Sequence, residues 1–290
     1  MSESRRKDSA HSKLRQRLAE TDDRCIYCDT PVTAETMHIE HMPPIGMFKD
    51  QQRLKGMEFA ACKSCNNGTR GADTVAAFVA RFSPRPGAID WRLVEAARLR
   101  GSLRTTAPGV VEEFERFQEI VVVPGPGGIM RRMLQTRSGP RTDAYLAVFA
   151  AKLGMALFRE HCGYGIPMIG GMRTAFFLNA GLAFETAKSL VSIMPLDKKL
   201  VQGRQHSNPQ FIYRYNTDDF SIVFALVQFH EGLYVCVMAC ADWEIYGGLP
   251  FPDLFKRAYP GKLIEMLPPP LTGYRPTASG LVVPRGWRRR

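Results

Sequence analysis

Four cysteines stand in two Cys-x-x-Cys pairs, Cys25-Ile-Tyr-Cys28 and Cys62-Lys-Ser-Cys65, and enclose the run His38-Ile39-Glu40-His41-Met42-Pro43. Each short pair can present two thiolates to one ion. Four thiolates complete the tetrahedral shell of a structural Zn²⁺ and leave no position open for chemistry. The enclosed run differs in kind. Glu40 and His41 set a carboxylate beside an imidazole, and Asn66 and Asn67 add two carboxamides directly after the last cysteine. Oxygen donors of this sort suit a hard divalent cation such as Mg²⁺ or Mn²⁺, which keeps several waters and needs only one or two protein ligands. An imidazole with a reference pKa of about 6.5 is substantially neutral near pH 7 and can take a proton from water. A closed sulfur site therefore adjoins an open site of oxygen and nitrogen donors.

In this residue order the segment from residue 24 to residue 73 resembles the HNH endonucleases of the ββα-metal type, in their zinc-containing subgroup with two Cys-x-x-Cys pairs. The resemblance implies a metal-dependent enzyme that hydrolyses phosphodiester bonds in a nucleic acid, with DNA the first expectation. It implies Zn²⁺ on Cys25, Cys28, Cys62 and Cys65, a catalytic Mg²⁺ or Mn²⁺ on Glu40 and Asn66, and His41 as the general base. Pro43, two residues beyond His41, fits the pattern. Two features depart from it. Glu40 stands where Asp is commoner, and residues 44–61 contain no asparagine for the middle, loop-fixing position, so Asp50, Gln51 and Gln52 are the substitutes at hand. The missing asparagine keeps a second reading open: a non-catalytic zinc module that binds DNA or protein. His38, which shares strand parity with Glu40, and Asn67 border the site as secondary candidates.

A segment this small has little core of its own, and a structural zinc worth about 10–16 kcal/mol of apparent binding free energy can staple it. The expected order is a leading helix over 9–20, a knuckle at Cys25–Cys28, a short hairpin with a wide loop within 31–48, and a helix from Cys62 onward that breaks near Gly71 and restarts at Asp73. Ser83-Pro-Arg-Pro-Gly87 reads as a boundary. It divides the chain into a nuclease module over 1–82 (core 24–73), a larger α+β domain over 83–267, and a Pro- and Arg-rich tail over 268–290. In the larger part the patterning predicts helices over 89–100, 109–118 and 142–161. It predicts strands over 120–123, 211–215, 220–229 and 233–239, the last two joined by His230-Glu231-Gly232. The fold class expected is α+β, with a small treble-clef-like module ahead of the larger domain.

Composition bounds the partners. A hydrophobic content of 45% over 290 residues supports a packed core. No apolar stretch reaches the roughly 18–20 residues of a membrane span, and the polar N-terminus lacks the apolar core of a signal peptide. A cytoplasmic protein without a membrane partner is expected. Of seven cysteines, Cys162, Cys236 and Cys240 lie outside the paired motif and read as small core residues of a reducing compartment. The net charge is +11, and it is unevenly spread. Residues 1–75 carry twelve basic against eleven acidic groups, residues 76–142 eleven against six, and residues 143–290 sixteen against eleven. Phosphate contacts are therefore expected mainly from outside the motif, with Arg131-Arg132 and Arg288–Arg290 as candidates.

Overall fold

Pro140 and Gly163 bracket the helix on which the rest of the protein is built. In the computed structural model, which describes residues 3–51, 56–82, 91–124, 126–178, 200–203, 207 and 210–272, helix α6 runs Pro140–Cys162. Proline opens it where the first turn has no use for an N–H, and Gly163 closes it in the left-handed conformation at φ 83°. From Tyr145 to Phe158 almost every residue is buried, so the helix is covered on all sides.

One cover is a six-stranded sheet of order β10-β5-β9-β8-β7-β6, antiparallel at every pairing. Its strands are β5 (Gly171–Leu178), β6 (Val201–Gln202), β7 (Phe211–Thr217), β8 (Ile222–Phe229), β9 (Leu233–Cys240) and β10 (Lys256–Ala258). Residues alternate across it as a pleat requires. Val223, Val227, Val235 and Val237 join the main core with α6, while Phe224, Cys236, Met238 and Cys240 pack with Phe255 on the far face. Cys236 and Cys240 are thus core residues, and burial pushes the Cys240 thiol up to about 11.

The other cover is the first part of the chain. Helix α1 (Glu3–Thr21) leads to β1 (Met37–His41) and β2 (Glu58–Cys62), which pair antiparallel from Met37↔Cys62 to His41↔Glu58. Helices α2 (Lys63–Gly68) and α3 (Arg70–Ala80) follow, and α3 lies against α6. The hairpin therefore spans 37–62 rather than lying within 31–48, because its second strand, Glu-Phe-Ala-Ala-Cys, has little β-branched character and is fixed by pairing. The helix break falls at Thr69, not Gly71. The Thr69 hydroxyl donates to the Cys65 carbonyl at 2.7 Å, while Gly71 is helical and needed for a different reason. A Cβ there would stand 2.3 Å from the Thr106 carbonyl oxygen and 2.8 Å from the Tyr145 ring. Gly71→Ala should lower stability by about 1–3 kcal/mol through overpacking, even though alanine is the better helix former. Urea unfolding of the variant checks this.

Helices α4 (Trp91–Thr106) and α5 (Val110–Arg116) complete the packing, and a separate hairpin, β3 (Gln118–Pro124) with β4 (Met130–Thr136), leaves Ile120, Val122 and Leu134 exposed. The core is continuous from Leu18 to Leu263. The Ser83–Gly87 stretch, Gln52, His206 and the tail from residue 273 lie outside the described residues.

His230, in the β8–β9 turn, ties the sheet to the first part of the chain. It is buried, and its Nε2–H donates to the Met47 carbonyl at 2.7 Å. Burial holds its pKa down at about 4, below the ordinary 6.5. The unfolded chain takes up this proton near 6.5 while the folded one resists it until about 4, so stability is lost as pH falls through that window. Between pH 7.5 and pH 5 the loss should be about 2 kcal/mol larger in the wild type than in His230→Gln. Equal pH dependences in urea unfolding of the two proteins would contradict this.

Candidate metal centre and active site

Backbone hydrogen bonds bring the two cysteine pairs together. The Ile26 N–H donates to the Ala60 carbonyl at 2.9 Å, which lays the knuckle against β2. Asp29, at φ 58°, donates its N–H to the Cys25 carbonyl at 2.9 Å and closes the knuckle turn. Cys62 ends β2 and caps α2, its sulfur accepting the Cys65 N–H at 3.4 Å. In consequence the sulfurs of Cys25, Cys28, Cys62 and Cys65 all lie within 4.8 Å of one another. The Cys28–Cys62 sulfur separation is 3.7 Å. Sulfurs at about 2.3 Å from a tetrahedral Zn²⁺ are about 3.8 Å apart, so the four could hold such an ion. The Cys65 thiol, turned toward Cys25, holds Cys25 down at about 5 and is itself pushed up. A cluster that already favours one thiolate is chemically suited to a cation.

Beside this centre, β1 and α2 place Glu40 against Asn66. The Asn66 carboxamide nitrogen donates to Glu40 Oε2 at 2.9 Å. Turned end for end, the carboxamide would bring its oxygen to the same place, and oxygens about 2.9 Å apart form one edge of an octahedron around Mg²⁺. His41 follows Glu40 on the strand and is half-buried, as is His38. Asn67 and Asp50 are exposed. The structure therefore brings Glu40 and Asn66 together, sets His41 and His38 on the same strand as Glu40, and leaves Asn67 and Asp50 facing solvent.

Glu40 is only 4% exposed, and the reason lies in the second part of the chain. Lys152, in the middle of α6 and fully buried, puts its Nζ 3.4 Å from Glu40 Oε1. The same ammonium donates to both oxygens of Asp73 on α3, at 2.8 and 2.6 Å. It also sits 5.4 Å from the ring centroid of Tyr27, inside the first cysteine knuckle. Burial pushes the Glu40 carboxyl up to about 7, against the pull of Lys152. Burial also works against the charge on Lys152, but Asp73 and Glu40 outweigh it and raise its pKa.

Sequence reasoning missed Lys152 and Asp73. The signal was a single charge within the otherwise apolar run Ala144–Phe158. A charge in a helix buried on all sides requires a partner of opposite sign.

Part of the Arg excess beyond residue 75 is tied up internally: Arg81 pairs with Glu95 at 2.7 Å, Arg92 with Glu231 at 3.3 Å, and Arg137 with Glu119 at 2.7 Å. Arg159 at the end of α6 grips Asp22, its Nε 2.8 Å from Oδ1, and His161 stacks on Tyr215. Arg131 and Arg132 are exposed on β4, whereas Arg288–Arg290 lie outside the described residues. Among the described residues no helix is long and apolar enough to cross a membrane. Comparison with family models, curated proteins and solved structures returns no match for this chain.

Proposed function

We propose that the protein is a metal-dependent endonuclease of HNH character, acting on nucleic acid and by preference DNA, built on a zinc-stapled, treble-clef-like ββα unit. The observation that carries this reading is the 2.9 Å approach of Asn66 to Glu40 across β1 and α2, with His41 next on the strand and the four-cysteine cluster fixing the start of α2. Cys25, Cys28, Cys62 and Cys65 would hold Zn²⁺ for structure alone. Glu40 and Asn66 would hold a Mg²⁺ or Mn²⁺, which when bound supplies a Lewis acid for the phosphate and neutralises its developing charge. His41 takes the proton from the attacking water at a neutral ring nitrogen. Arg131 and Arg132, exposed on β4, offer guanidinium groups to the phosphate backbone.

One observation favours the rival, a non-catalytic zinc module for DNA or protein: the Lys152 ammonium already neutralises part of the Glu40 charge. Incubating zinc-loaded protein with supercoiled plasmid decides between them. Nicked and linear DNA should form only when Mg²⁺ or Mn²⁺ is added, and Glu40→Gln should prevent it. Wild-type protein that binds the plasmid and leaves it intact with both metals supports the rival.

A further inference from the structure

The group around Glu40 is drawn from four elements that are distant in sequence: the first knuckle (Tyr27), β1 (Glu40), α3 (Asp73) and α6 (Lys152). Three charges are buried together there, two negative and one positive. Retaining them costs desolvation that an apolar trio of similar volume would avoid, so a packing role alone is a weak account of their presence. The geometry is also asymmetric. Asp73 engages the ammonium with both oxygens, at 2.6 and 2.8 Å, whereas Glu40 meets it through Oε1 at a longer 3.4 Å. Its other oxygen, Oε2, is turned to Asn66.

Building on the nuclease reading above, we infer that Lys152 is a positioning residue of the cleavage site: anchored by Asp73, it holds Glu40 by Oε1 and so presents Oε2 together with Asn66 to the catalytic cation. The site is then completed by α6, and the first part of the chain does not carry it alone. Partners of this kind, one step removed from the metal, typically change metal affinity or activity by about 10–100-fold when lost.

The test uses the full-length, zinc-loaded protein. The double variant Lys152→Met with Asp73→Asn removes the anchor and one group of each sign, and the pH profile of Mn²⁺ binding separates a change in the position of Glu40 from its uptake of a proton. Asp73→Asn alone is the milder variant, because it retains the Lys152–Glu40 pair and an oxygen for Lys152 to bond. Zinc content and thermal unfolding show that each variant is folded; Mn²⁺ binding is read directly by electron paramagnetic resonance; and kcat and KM for an oligonucleotide are measured separately. The double variant should keep its zinc, bind Mn²⁺ about tenfold more weakly and lose about 100-fold in kcat with KM nearly unchanged. Asp73→Asn should weaken Mn²⁺ binding in the same direction, and it decides the matter if the double variant does not fold. A purely structural ion pair would lower the unfolding temperature and leave Mn²⁺ affinity and kcat alone; that result in a folded variant overturns the assignment of Lys152. Wild-type protein that neither binds Mn²⁺ nor cleaves would remove the nuclease reading itself, and the inference with it.

Discussion

Replacing Cys62 with serine should strip the protein of its zinc and unfold it. Cys62 holds three positions at once: it is one of four sulfurs within 4.8 Å of each other, its sulfur caps α2 by accepting the Cys65 N–H, and its backbone pairs with Met37 at the end of β1. A serine oxygen is a poor substitute for a thiolate, and a structural zinc contributes about 10–16 kcal/mol in small finger peptides, as much as the whole 5–15 kcal/mol or so by which a typical domain is stable. The damage should not stay local. Core packing runs without interruption from Leu18 to Leu263, and α3, which follows the second cysteine pair, lies directly on α6. Elemental analysis should give close to one zinc per chain for the wild type and far less for Cys62→Ser, with loss of the cooperative thermal transition. A zinc-free Cys62→Ser protein with wild-type unfolding would show that the cysteines are not the staple.

The expectation with the largest effect on rate concerns His41. A general base contributes about 10²–10⁴-fold, and a neutral imidazole adds little to an affinity set by phosphate charge. His41→Ala should therefore lose cleavage by that factor and keep nucleic-acid affinity within a few-fold. The substitution lies at the end of β1, opposite Glu58, and leaves the Glu40–Asn66 contact and all four cysteines in place. Zinc content and unfolding should be close to wild type, which separates a catalytic from a structural histidine.

The four-cysteine cluster was legible in the chain because it is written in short spacings. Cys-x-x-Cys twice names the sulfur cluster, and Asn66 adjoins Cys65 so closely that any fold seating the cysteine also places the amide. Helix α6 was readable from Pro140, Gly163 and the apolar run between them. Three things were not. The second strand of the hairpin, Glu58–Cys62, carries two alanines and owes its conformation to Met37–His41 across from it, a partner about twenty residues away. Gly71 looked like a helix breaker because glycine serves both as a breaker and as the residue of close approach, and only the neighbouring Thr106 and Tyr145 distinguish the two. The Lys152–Asp73–Glu40 group joins Lys152 to an Asp73 that lies 79 positions away and to a Glu40 still farther off, and no local pattern encodes such a pairing. The stretch at Ser83–Gly87 has the composition of a linker, yet the elements on either side of it, α3 and α4, share one core.

The reading as a nuclease stands or falls on a single comparison. Zinc-loaded wild-type protein and His41→Ala are each incubated with supercoiled plasmid and Mn²⁺, and the nicking rate is followed beside a gel-shift titration of the same DNA. The expected result is metal-dependent nicking by the wild type, a loss of about 10²-fold or more in His41→Ala, and gel-shift curves that nearly coincide. Nicking by His41→Ala at the wild-type rate would contradict it.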